Sequence, residues 1–165
     1  MEEKLKNSIQ INIEKAPRSY VSSDGSDGIS IKYYFDKTDG RVYAKVTFGP
    51  ATQGPPGFVH GGALAAALDE TMGITAWMNN LQVMTKELKI IFSKALKLGS
   101  TVYIEAWIEN KNKTAAIIKG KLTAENGETI FTEAEGVFQM LDEKKWKSFG
   151  IDADSFISDD YLDEK

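Results

Sequence analysis

Between Val59 and Thr85 the only formal charges are two adjacent acids, Asp69 and Glu70. Leu64, Leu68 and Met72 recur there at a spacing of four, and most other positions are Ala, Gly, Thr or Ile. This pattern predicts a helix from about Gly62 to Met78 that is apolar on almost every side. Such a helix cannot lie on a surface and has to be enclosed by the rest of the chain. Two carboxylates in its middle are costly to bury, so they need a reason to be there. The preceding His60-Gly61-Gly62 holds the only histidine of the chain. A helix that starts on Gly-Gly offers free backbone N–H groups to an anionic or polarised group.

The enclosing material reads as strands. Residues 29–36 and 41–48 alternate around Thr38-Asp39-Gly40, a hairpin signal. In the second strand Val42, Ala44, Val46 and Phe48 share one face, and Arg41, Tyr43, Lys45 and Thr47 the other. Gly49-Pro50 and Gly54-Pro55-Pro56-Gly57 form a rigid loop before the helix. Four further strands are expected at 86–94, 101–109, 114–124 and 129–141, with turns at Asn110–Lys113 and Asn126-Gly127. Their alternation predicts an antiparallel sheet with one covered face. An α+β architecture follows, in which one long central helix is wrapped by a curved antiparallel sheet of about six strands. Residues 1–28 read as an N-terminal extension with a loop at Ser22–Gly28. Residues 29–141 read as the domain, and 142–165 as an acidic, loosely docked C-terminal tail.

Composition excludes several classes. With 165 residues, a net charge of −4 and no basic stripe, nucleic acid is not an expected partner. The absence of cysteine removes disulfides, thiolate nucleophiles and cysteine metal sites. With one histidine and no cysteine, no metal site is expected. No apolar run reaches membrane length and no leader pattern opens the sequence, so a soluble cytoplasmic protein without a membrane partner is expected.

The run Gly54-Pro-Pro-Gly-Phe-Val-His-Gly-Gly-Ala-Leu-Ala-Ala-Ala-Leu-Asp-Glu-Thr-Met-Gly73 resembles the signature of the hotdog-fold acyl-CoA thioesterases, in particular the phenylacetate-pathway type. The strand–strand–helix–four-strand order over residues 29–141 is similar too. The resemblance implies hydrolysis of an acyl-CoA to a free acid and coenzyme A, with no separate cofactor, since coenzyme A is part of the substrate. It implies that Asp69 serves as general base or nucleophile, and that the Gly61 backbone N–H polarises the thioester carbonyl. His60 lies beside that donor as a positioning group, and Thr85, sixteen residues after the acid, helps to place water. Glu70 is the alternative acid. Lys111 and Lys113, in a basic hairpin turn, would lie near the phosphates of coenzyme A. Some relatives carry Asn where this chain has Gly54, and Gln53 stands next to it. A non-catalytic acyl-CoA binding protein and a hotdog dehydratase or hydratase are the alternatives.

Thioester hydrolysis requires donors facing the carbonyl oxygen and a base or nucleophile facing its carbon. Along one helix, Gly61 and Asp69 are about 12 Å apart and turned by roughly 80°. One carbonyl cannot meet both within ~3 Å. Two antiparallel copies of the helix about a twofold axis would bring the start of one to the middle of the other. The arithmetic therefore predicts a homodimer, or a dimer of dimers, with two shared sites.

Overall fold

The computed structural model describes residues 1–12, 21, 27–150, 161 and 162. The element order is α1 (Glu2–Asn7), β1 (Ile9–Ile11), β2 (Ile29–Asp36), β3 (Arg41–Phe48), a 3₁₀ turn (Pro50–Thr52), α2 (Gly61–Met78), β4 (Val83–Phe92), β5 (Thr101–Lys111), β6 (Ala115–Thr123), β7 (Ile130–Met140) and α3 (Glu143–Ser148). The seven strands form one antiparallel sheet in the order β1-β2-β3-β5-β6-β7-β4. Strands β2 to β7 all touch α2.

Leu64, Leu68 and Met72 point into this sheet and are buried, as their spacing predicts. They meet Phe48, Ile104, Ile118, Leu122 and Phe138 from the strands. Each such side chain contributes about 1.5–3 kcal/mol on burial. Thr71 and Thr75 are also buried. Their hydroxyls are satisfied within the helix, donating to Ala67 O at 2.7 Å and Thr71 O at 2.8 Å. Gly120 on β6 lets the helix come close, because a Cβ there would stand 3.1 Å from Leu68 Cδ2 and 3.2 Å from Met72 Sδ.

The sheet differs from the expectation in three places. A seventh strand, β1, adds to β2 with Ile9 opposite Phe35. The second sheet face is also partly covered. Leu5 of α1 packs on Tyr43 and Tyr103, which strict alternation assigns to solvent. Beside them Glu105 is buried, and Lys4, Arg41 and Lys121 converge on its carboxylate at 3.2, 2.7 and 2.9 Å. Burial works against the charged form of Glu105. Hydrogen bonds from Lys121 and Lys4 outweigh it, and its carboxyl is held below the ordinary carboxylate value. Finally, the segment after β7 holds a short helix whose one buried residue is Trp146. Asp142 caps α3 by accepting from Lys145 N at 2.8 Å. Trp146 is buried edge-on against Trp77 of α2, with ring centroids 6.0 Å apart. Most of the Ser22–Gly28 loop and the acidic segment from Asp152 to Asp160, with Phe156, lie outside the described residues, as do Asp163 and Glu164.

Strand β4 starts at Val83, three residues before the expected position. Among the described residues it is the last strand of the sheet and pairs only with β7. Three large apolar side chains, Met84, Ile91 and Phe92, are exposed on it. No helix among the described residues is long and apolar enough to cross a membrane.

Candidate active site

The loop before α2 is locked before the helix begins. His60 N donates to Thr52 O at 2.8 Å, Val59 N to Leu96 O at 2.9 Å, and Gly54 N to Phe58 O at 3.0 Å. Gln53 holds the turn itself, its Oε1 accepting from Gly57 N at 3.1 Å. The side chain next to Gly54 is thus committed to the loop. At Gly54 any Cβ would stand 2.9 Å from the His60 backbone, so no Asn fits there.

His60 is the N-cap of α2. Its Nδ1 accepts from Gly62 N at 2.9 Å, and its carbonyl takes Ala63 N at 2.9 Å. The imidazole therefore does the capping that Ser or Asp does elsewhere, and Nδ1 must be unprotonated to do it. A Cβ on Gly62 would fall 2.9 Å from that Nδ1. The second glycine of the pair is there to admit the ring. With Gly62 and Ala63 taken, the Gly61 N–H has no acceptor among the described residues. It lies at the positive end of an 18-residue helix.

Asp69 and Glu70 are directed to different parts of the sheet. Asp69 Oδ1 accepts from Thr85 Oγ1 of β4 at 2.8 Å. Glu70 lies toward Tyr33 of β2, whose phenol is pushed well above its ordinary value, first by burial and then by the Glu70 charge. In the strand order β2 and β4 are far apart. Both acids are half-buried, and Asp69 belongs to a stripe of α2, with Gly62, Ala65, Ala66 and Gly73, that the sheet leaves uncovered. A Cβ on Gly73 would meet nothing within 4 Å among the described residues. Ala76 is fully buried and faces the core instead.

A β-bulge between Thr85 and Glu87 makes the Asp69–Thr85 contact possible. Thr85 pairs with Phe138 and Leu88 with Gly136. Phe138 and Gly136 share a sheet face, so Thr85 and Leu88 do as well. Without the extra residue Lys86, positions three apart would point to opposite faces, and Thr85 would turn away from the helix.

At the other end of β4, Phe92 lies against the start of α2. A Cβ on Gly61 would stand 3.4 Å from two of its ring carbons. One chain thus carries two separated constellations. Gly61 and Phe92 mark one end of the open face, and Asp69 and Thr85 the other. Lys111 and Lys113 are exposed and make no ion pair among the described residues. Thr85, Phe138, Ala116 and Lys111 lie in one row across β4, β7, β6 and β5. Lys111 is therefore about 14 Å from Thr85 across the sheet. Among the described residues no cluster of His, Cys, Asp and Glu could hold a metal ion.

A long helix enclosed by one curved antiparallel sheet, its start capped by His60 and its open side carrying Asp69, defines the hotdog fold. The thioesterase superfamily model matches residues 56–131, which span the capped helix start, Asp69, Thr85 and Phe92. Over those residues the chain is similar to the thioesterase superfamily. It is 28% identical over 126 residues to acyl-coenzyme A thioesterase THEM4 of Xenopus laevis, covering 75% of this chain and 57% of that protein. It is 31% identical over 126 residues to acyl-coenzyme A thioesterase THEM5 of Mus musculus, covering 75% and 51%. The chain thus spans about half the length of the curated relatives it matches. Among solved structures, a hypothetical thioesterase protein from Streptococcus pneumoniae TIGR4, crystallised with coenzyme A, has a TM-score of 0.59 at 21% identity. That match covers 62% of this chain and 80% of the other. Asp→Ala and Thr→Ala variants of the S. pneumoniae protein match with TM-scores of 0.62 and 0.61.

Proposed function

We propose that this chain is an acyl-CoA thioesterase whose site is shared between two copies. The observation that carries the reading is the hydrogen bond from Thr85 to Asp69 on the uncovered stripe of α2. A carboxylate held by one oxygen and open on its other side is arranged to act on a bound electrophile. The THEM4 and THEM5 relatives are acyl-coenzyme A thioesterases by name, which supports the substrate class. The two substituted positions of the S. pneumoniae variants are sixteen residues apart, the spacing of Asp69 and Thr85.

In this reading the thioester oxygen accepts from the Gly61 N–H at the helix start, where the dipole favours developing negative charge. Asp69 of the partner copy acts as general base or nucleophile. As a base it takes a proton from water while the water oxygen bonds to the carbonyl carbon. The C–S bond then breaks, and the coenzyme A sulfur leaves with a proton. Thr85 fixes the carboxylate, and Lys111 and Lys113 offer charge to the coenzyme A phosphates. Two features support the shared site. Gly61 with Phe92 and Asp69 with Thr85 lie at opposite ends of the same open face, and β4 has an unpaired edge bearing exposed apolar side chains. Antiparallel pairing of β4 with a second β4 brings each end to its complement.

Release of thiol from a panel of acyl-CoAs tests the activity. Asp69→Asn should remove most of it with the fold retained, while Glu70→Gln should leave most of it. The reverse result transfers the role to Glu70. Tight acyl-CoA binding with no turnover would make the chain a binding protein. Sedimentation should give a dimer or a dimer of dimers, and an active monomer would refute the shared site.

A further inference from the structure

Phe92 stands out among the apolar side chains at the open face. It is on the helix-facing side of β4, pairing with buried Thr132, yet 54% exposed. Its ring lies beside Gly61, two ring carbons standing 3.4 Å, an ordinary contact distance, from where a Cβ at that position would be. A Cβ on Gly62 would collide with the His60 ring, whereas one on Gly61 would rest against the Phe92 ring in ordinary contact. The neighbouring Gly61 N–H is the donor that the cap leaves free. An exposed aromatic ring thus packs on the residue that carries the free donor.

Resting on the thioesterase reading, we propose that Phe92 is a substrate-contacting residue that walls the thioester group itself, rather than the acyl tail. The ring sits at the donor, so its contact is with the carbonyl and sulfur common to every acyl-CoA. Excluding water there strengthens the N–H···O interaction as charge develops on the oxygen. The effect is on the chemical step more than on affinity, because most substrate contacts lie elsewhere.

The test uses Phe92→Ala and Phe92→Leu with acetyl-, octanoyl-, palmitoyl- and phenylacetyl-CoA, followed by thiol release. Sedimentation and thermal melting are recorded for each variant. The Ala variant should lose roughly tenfold in kcat for all substrates by a common factor, with KM changed less, the scale of one aromatic contact with partial exclusion of water. Phe92→Leu keeps an apolar edge on β4 but not the flat ring. It should remain associated as wild type is and still lose kcat by a common factor. Unchanged kinetics in the Leu variant would overturn the proposal. So would a loss that grows with acyl length, which would put the ring in the acyl-tail pocket. If the unmodified protein hydrolyses none of the four thioesters, it is the thioesterase reading that fails.

Discussion

Replacing Thr85 with Val tests whether Asp69 and Thr85 act as a unit. The substitution keeps the shape and β-branching of the side chain, so strand β4 should be undisturbed. What it removes is one hydrogen bond of 2.8 Å to a carboxylate oxygen. A bond to an ionised acceptor contributes about 1.5–3 kcal/mol. If that energy holds Asp69 in the reactive orientation, kcat should fall by about 10- to 150-fold, at one decade per 1.36 kcal/mol. The assay is a double-mutant cycle on acyl-CoA hydrolysis, with Thr85→Val, Asp69→Asn and the pair. Asp69→Asn alone should abolish most turnover, and adding Thr85→Val should cost little more, since the hydroxyl acts through the carboxylate. Wild-type kcat in Thr85→Val would refute the reasoning. Losses that multiply in the double variant would refute it too, because they would mean that the hydroxyl acts independently of Asp69.

Three other outcomes are expected. His60→Ala removes the cap on Gly62 N, which should cost about 0.5–2 kcal/mol, and a thermal melt should move down by about 2–4 °C per kcal/mol for a chain of this size. Glu105→Gln should destabilise by about 1–3 kcal/mol, discounted from the buried-pair scale because its cationic partners are partly exposed. The Glu105 carboxyl is held below its ordinary value, so its contribution is present above the unfolded-state value and is lost as pH falls through the lower folded-state value. Denaturant midpoints measured across the acid range should therefore show a smaller loss on acidification in the Gln variant than in wild type. Gly120→Val forces a side chain into the contact with Leu68 and Met72, and urea unfolding should register a loss of about 1–3 kcal/mol.

Much of the architecture could be read before any coordinates. The all-round apolar helix announced itself by having two charges in 27 positions, and the strands by alternation, because burial on one or all sides leaves a local composition. Spacing also separated Asp69 from Glu70, since neighbours on a helix point about 100° apart. The outer-face burial of Tyr43, Tyr103 and Glu105 could not be read this way. It depends on α1, whose packing partners are about forty and one hundred residues away in sequence, and alternation carries no record of what later covers a face. The burial of Trp146 was hidden likewise, because one apolar ring among charged residues leaves no periodic pattern.

The site divides in the same manner. The sequence by itself determined the residue types and the spacing that separates Gly61 from Asp69, because helix geometry is fixed by the backbone. It did not determine what packs against the glycines at the helix start. Gly62 makes room for the His60 imidazole that caps the helix, and the Phe92 ring reaches Gly61 through the packing of β4 on α2. Nor did it determine that Thr85 meets Asp69. That contact depends on a one-residue bulge at Lys86, which turns Thr85 to the helix face and is invisible to a period-two pattern. A local pattern specifies which side chains are apolar, but a bulge and a ring packed on a backbone are properties of two segments meeting, and only the folded sheet brings them together.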